Sequence, residues 1–302
     1  MSWLRTLRSL AADTYAEWSN DKVPRLGAAL AYYTAFSLAP LLLIGISIAG
    51  LVLGREAAAG RVQDELALLL GAQGAHTVQD MIANAWQPRT GRWSLVAGVA
   101  LLLFGASGVF AQLQDALDTI WEVQPNPHRG IWGTIRDRFF SFVMVLGTGF
   151  LLLVSLLLSA AVGALTDRLG AIGPAVSLIA SLFLATGLFA AIFKVVPDAE
   201  VRWRDVWVGA TATAVLFAVG KELLGLYLGR SDVSSSYGAA GSVLVLLLWV
   251  YYAAQILFLG AEFTQVWANR FGGRVQPARG AVPLGPEKRA QEGLPEPRAQ
   301  KR

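Results

Sequence analysis

No cysteine occurs among the 302 residues, so disulfides, thiol nucleophiles and thiolate metal sites are excluded. Histidine is nearly as scarce, with only His76 and His128, which fall in segments expected on opposite sides of a membrane and so cannot build a zinc site. Charge is also low. Only 15% of residues are charged while 55% are hydrophobic, and the mean hydropathy is +0.50, too apolar for a soluble domain of this length. The opening MSWLRTLRSLAADTYAEWSNDK lacks the apolar core and small-residue cleavage site of a secretory signal, so the first span is expected to act as an uncleaved signal. No nucleotide-binding P-loop is present. The net charge of +4 does not point to nucleic acid, because the basic residues are spread over loops and the tail as membrane topology requires.

What is present is a series of long apolar stretches. The first, RLGAALAYYTAFSLAPLLLIGISIAGLVL, starts at Arg25 and ends at Leu53. A helix from Leu26 to Leu53 would be about 42 Å long, more than the roughly 30 Å hydrocarbon layer, so it must tilt, bend or protrude. Pro40 supplies a bend, and its freed carbonyl needs partners in lipid. Tyr33, Ser37 and Pro40 share one face at i, i+4, i+7, a face expected to look into a helix bundle; the plainer account is a packing kink. The expected fold is an all-α polytopic membrane protein with six transmembrane helices, at about 26–53, 93–113, 139–158, 174–196, 206–228 and 241–263. Residues 1–24 read as an interfacial amphipathic helix, with Trp3, Leu7, Leu10, Tyr15 and Trp18 set among charges. Residues 55–92 read as an external helical segment of two amphipathic helices. The membrane domain would cover 25–268, and 269–302, rich in Pro, Gly, Arg and Glu, is expected to be a disordered cytoplasmic tail.

Polar residues recur at helical spacing within these spans. Tyr251, Gln255, Phe258 and Glu262 fall at i, i+4, i+7, i+11 on the sixth, and Gly108, Gln112, Asp115 and Thr119 line one face of the second and its polar continuation. Lys221 and Glu222 lie side by side in the fifth. Such groups are costly in lipid unless paired, so they mark a candidate pathway. Against this, Glu262 near a span end can be solvated, and Lys221 can snorkel to the interface. Gly225 and Gly229 form a small-xxx-small pair, and Tyr237 to Ser242 is another small-residue run; both suit close helix packing and permit a homo-oligomer. An enzymatic reading fails. Gly105-Ala106-Ser107-Gly108 fits the GxSG string of rhomboid-type intramembrane proteases, but no histidine lies at membrane depth to act as base.

The strings AALAYYTAFSLAPLLL, LDTIW and LYLGRSDVSSSYGAAGSVLVLLLWVYYAAQILFLGAEFTQVWA closely resemble the YihY/BrkB family of bacterial inner-membrane proteins, over roughly residues 15 to 270. The resemblance implies six spans with cytoplasmic termini and location in the bacterial inner membrane. It implies no agreed activity, and the ribonuclease BN label once given to members finds no HxHxDH string here. The expected function is a transporter or lipid flippase-like protein with a polar pathway lined by Tyr33, Ser37, Pro40, Gln112, Asp115, Lys221, Glu222, Tyr251, Gln255 and Glu262. The alternative is a non-transporting scaffold for envelope assembly. No cofactor or metal is expected; membrane lipids and a lipid or small-solute substrate are the expected partners.

Lys and Arg fix the expected orientation. The N-terminal segment carries four, the 2–3 loop three, the 4–5 turn with its flanks three and the tail eight, against six on the other side. Single cysteines at Ala75 and Ser235 should therefore react with an impermeant thiol reagent in intact spheroplasts, while one at Ala290 should not; labelling at Ala290 would reverse the orientation.

Overall fold

The computed structural model describes residues 2–37, 108–126, 173–230 and 239–295. Pro40, the external segment 55–92, the third span 139–158, the GxSG serine and both histidines lie outside the described residues. Helix α1 is Ser2–Asn20. It is followed by α2 over residues 23–37 and α3 over residues 108–120. Strand β1 (Val123–Pro125) comes next, then α4 (Gly173–Val195), β2 (Ala199–Glu200), α5 (Trp203–Arg230) and α6 (Ala239–Phe271). Strands β3 (Gln276–Pro277) and β4 (Ala281–Pro283) and the short helix α7 (Pro286–Glu292) complete the order. Among the described residues, three stretches are long and apolar enough to cross a membrane: Leu178–Val195, Trp203–Leu224 and Leu244–Phe271. They cover the ground of the fourth, fifth and sixth expected spans.

α1 and α2 are parted by a tight turn in which Lys22 takes a left-handed φ of 52° and Arg25 N–H donates to the Lys22 carbonyl at 2.8 Å. Pro24 stands in the first turn of α2, where its missing N–H costs nothing. α1 packs along the last turns of α6, burying Leu10 and Thr14. Arg270 of α6 donates to Ser9 Oγ at 2.8 Å and approaches Asp13 Oδ2 at 3.3 Å. Tyr15 stays exposed and stacks on Trp18.

The closest helix contact joins α5 and α6, which run antiparallel. A Cβ placed on Gly209 would lie 1.7 Å from Thr264 Oγ1, and one on Gly260 would lie 1.9 Å from Thr213 Oγ1. Each threonine thus fills the notch left by the other helix's glycine. Both hydroxyls are satisfied at home, Thr213 on the Gly209 carbonyl at 2.8 Å and Thr264 on the Gly260 carbonyl at 2.6 Å. The same register continues outward, where Gly220 meets Ile256 and Tyr252. α4 closes on the other side of α5, with Phe189 edge-on to Phe217 at 5.6 Å.

The buried core sits at one end of this bundle. It gathers Val23, Leu26 and Leu30 from α2, Leu117 and Ile120 from α3 with Trp121 just beyond it, Phe189 and Phe193 from α4, Val206 and Ala210 from α5, and Phe258 and Ala261 from α6. Toward the other end Leu178, Phe183, Val219, Leu223 and Leu244 are exposed, an apolar surface suited to lipid. α6 has 33 residues and so spans about 50 Å, longer than the hydrocarbon layer. Its last turns carry the polar residues Gln265, Asn269 and Arg270.

The tail departs from expectation. Residues 272–295 are ordered, and α6 itself runs past the anticipated boundary at 268. β4 pairs antiparallel with β1 (Val123↔Pro283), and β3 pairs antiparallel with β2 (Ala199↔Pro277). Ala278 N–H adds a bond to the Asp198 carbonyl at 2.9 Å, and Leu284 N–H one to the Glu122 carbonyl at 2.8 Å. α7 opens on Pro286 and closes on Gly293, at φ 65°. Gly293 N–H bonds Ala290 O and Leu294 N–H bonds Arg289 O, the paired Schellman closure. Composition misled here because order comes from main-chain pairing with distant loops and a few anchors, Leu284, Arg289 and Leu294, not from an apolar stripe.

Gly260→Ala should destabilise the detergent-purified protein by about 1–3 kcal/mol through overpacking, and the loss should shrink when Thr213 is also alanine. Thermal unfolding of the two single variants and the double variant checks this, and an unchanged cost in the Thr213→Ala background would remove the notch as the cause.

Candidate functional site

Two of the expected faces meet. Tyr33 and Ser37 of α2 lie against Gly108 of α3, whose Cβ position is 3.5 Å from the Tyr33 ring and 3.9 Å from Ser37 Oγ. Ser37 is buried and Tyr33 half exposed. From Gly108 the polar face of α3 continues through half-buried Gln112 to Asp115 and Thr119. Asp115 is exposed and pairs with Lys288 of α7 at 3.4 Å; Lys288 also meets Glu292 at 3.6 Å. Thr119 Oγ1 donates to the Asp115 carbonyl at 2.9 Å and lies 3.4 Å from Glu292 Oε2. The tail helix therefore covers the end of the stripe.

Tyr251 and Gln255 do not join that face. They cross α2 about two turns before Tyr33, at Gly27, whose Cβ position is 2.1 Å from Gln255 Nε2. Gln255 Nε2 reaches the Val23 carbonyl at 3.5 Å, and Gln255 Oε1 is buried without a partner. Lys221 and Glu222 are exposed on α5, away from the other candidates. Glu262, fully buried, belongs to a different group at the end of the bundle.

That group was not legible as a site in the sequence. Asp21, in the α1–α2 turn, and Glu262, on α6, face each other, with Glu17 and Glu122 close by. The oxygens of Glu262 meet the Asp21 carboxyl but no donor group. Arg289 of α7 is buried, bonds Glu122 through Nη2 and the Pro295 carbonyl through Nη1 at 3.0 Å, and leaves Nε unpaired. Burial, reinforced by the negative charges of Glu122 and Glu17, pushes the Asp21 carboxyl up to about 7, with Arg289 opposing. A second buried acid, Asp118, lies past the end of the second expected span. Its Oδ1 accepts the Asp198 N–H at 2.7 Å, and burial pushes it up to about 8 against that bond. The available hints were i, i+4 carboxylate pairs, Glu17 with Asp21 and Asp118 with Glu122, but nothing local tied them to Arg289 or Glu262. Among the described residues no cluster of three or more His, Asp or Glu is placed to hold a metal.

The long apolar helices, their lipid-suited flanks and the buried polar end define a helical membrane protein. The Virulence factor BrkB family model matches residues 14–284, and the chain belongs to that family. It is 28% identical over 263 residues to a UPF0761 membrane protein of Pseudomonas aeruginosa (strain LESB58), covering 83% of this chain and 62% of the relative. A UPF0761 membrane protein of Tolumonas auensis is 26% identical over 246 residues, covering 81% of this chain and 80% of the relative. One from Albidiferax ferrireducens is 31% identical over 171 residues, 55% of this chain and 40% of the relative. The chain thus spans less than two thirds of the Pseudomonas relative. No solved structure matches.

Because the folded pKa of Asp118 lies above its unfolded value, the native state holds a proton that the unfolded state releases. Its contribution to stability is therefore greatest below about 4 and falls as pH rises toward about 8. Asp118→Asn keeps the acceptor for Asp198 but removes the titration. The fall in melting temperature between pH 5 and 8 should become shallower, by at most about 1.4 kcal/mol per pH unit; an identical slope in both proteins would refute the assignment.

Proposed function

We propose that this is a six-span protein of the bacterial inner membrane, with both termini cytoplasmic, that moves a lipid or a small solute along the polar face shared by its first and second spans. The observation that carries this reading is the continuity of that face, from Tyr33, Ser37 and Gly108 through Gln112 to Asp115 and Thr119 beneath α7. The six-span topology is supported by the gathering on one side of the α1–α2 turn, the ends of α3, α4 and α6 and the start of α5, tied by β1–β4 and β2–β3. Even numbers of crossings between these ends would produce that gathering, and the excess of Lys and Arg on the same segments supports a cytoplasmic side. No enzymatic role, cofactor or nucleic acid is part of this reading. The driving force would be a gradient or a partner.

A second reading, a non-transporting scaffold, draws on Lys221 and Glu222. Both are exposed on α5 about 27 Å along the helix from Trp203, where charged groups at the far interface suit a partner protein or a second copy of this chain. The two readings separate at mid-membrane. Single cysteines at Ser37 and Gln112 should react with a small hydrophilic thiol reagent in native membranes if the face is hydrated. Unreactive cysteines at both positions would favour the scaffold.

A further inference from the structure

Glu262 is the most deeply buried carboxyl in the described structure, at 0% exposure, and its oxygens meet no donor group, only the facing carboxyl of Asp21. An isolated carboxylate in such a place is strongly disfavoured and must be neutralised by a cation, by hydrogen bonds or by a proton. Among the described residues no fixed cation does this. Across the element boundaries, Glu262 faces Asp21 from the α1–α2 turn, Glu17 from α1 and Glu122 from the segment after α3. The guanidinium of Arg289 is bonded to Glu122 and to the Pro295 carbonyl instead. The other basic groups nearby are also turned elsewhere: Arg270 to Ser9 and Asp13, Lys288 to Asp115 and Glu292, Arg25 to the Glu292 carbonyl at 2.7 Å. Asp21 is itself only 5% exposed. Four carboxyls therefore gather here, and the guanidinium of Arg289 is spent on Glu122.

We propose that Asp21 and Glu262 form a binding site for one exchangeable proton, shared between the two carboxyls and taken from water on the side where the chain ends gather. On uptake, one carboxylate oxygen of the pair becomes an O–H that donates to the other carboxylate, so the pair passes from two negative charges to one and the contact between them gains a donor. On release the proton returns to water, and two facing carboxylates remain, which repel. Asp21 sits in the hinge between α1 and α2, and Glu262 sits two residues from Gly260 and Thr264 of the α5–α6 contact. Release therefore pushes the α1–α2 turn away from α6. The site is separate from the polar face of α2 and α3 and holds whether or not that face carries a solute.

The test is infrared difference spectroscopy of the full-length protein in detergent, stepped from pH 5 to 9, reading the band of protonated carboxylic acids. Asp118, which titrates at about 8, is removed by carrying out the series in an Asp118→Asn background. A band that disappears near pH 7 is expected, and Asp21→Asn should displace its midpoint, because the pair is then broken. In Glu262→Gln the remaining Asp21 band should titrate lower by about one pH unit or more, the mark of coupled sites. An unmoved midpoint in Glu262→Gln, or the absence of any band titrating near 7, would overturn the shared proton. Loss of the band at pH 6 on exchanging choline chloride for sodium chloride would also overturn it, showing that the pair takes a monovalent metal cation instead. Both substitutions replace a carboxyl with a neutral group of the same shape, and the unsubstituted pair is read directly in the background protein, so a misfolded variant leaves the band itself as the deciding measurement.

Discussion

The approach of α5 to α6 through two reciprocal glycine–threonine notches is the constraint on which the rest of the bundle depends. Lipid tails are as apolar as leucine, so the hydrophobic effect does not drive two helices together inside a membrane, and close van der Waals contact has to do so. Here contact is possible only because Gly209 and Gly260 present bare backbone to Thr264 and Thr213. The threonines can fill those notches because each hydroxyl already bonds the carbonyl of its own helix's glycine, so no polar group is stranded. Register along the pair is fixed as a result, and with it the depth of Glu262 on α6 and the position of Asp205 near the start of α5. That aspartate accepts the Gly273 N–H at 3.1 Å and so sets where the chain turns after α6.

Much of the helical framework could be read from the sequence, because long apolar runs in a chain with few charges leave little choice but helices in lipid. The GATAT and GAEFT strings that make the notches were equally visible, yet the small-residue pair singled out was Gly225 and Gly229. The spacing of small residues says that a helix can be approached closely, not which partner approaches it. Tyr33, Ser37 and Gly108 were readable as faces, and their meeting follows the simple expectation that polar stripes in lipid seek one another. Tyr251 and Gln255, with the same kind of signal, turn to Gly27 and Val23 instead.

The tail was misread for a physical reason that applies beyond this chain. Disorder is inferred from the absence of an apolar face, but a segment can be ordered by backbone bonds to loops that are themselves held by helices. Its local signals were present: Pro286 for a helix start, then Gly293 and Leu294 for a Schellman end. The carboxyl group around Asp21 and Glu262 was hidden differently. Glu262 on its own reads as a solvated residue at the end of a span. Only the return of the chain, which brings Arg289 over Glu122 and α1 along α6, removes the water that would have solvated it.

The strand pairings have a consequence for how the molecule is made. β1 and β2 emerge from the ribosome well before β4 and β3, and residues that finally touch, such as Thr119 and Glu292, are 173 positions apart. Early helices enter the bilayer with the cores of their connecting loops unfinished, and Trp121 and Phe193 wait under an absent cover. Long-range pairing of this kind closes late and slowly. Completion of this end of the protein is thus a step after synthesis of α6.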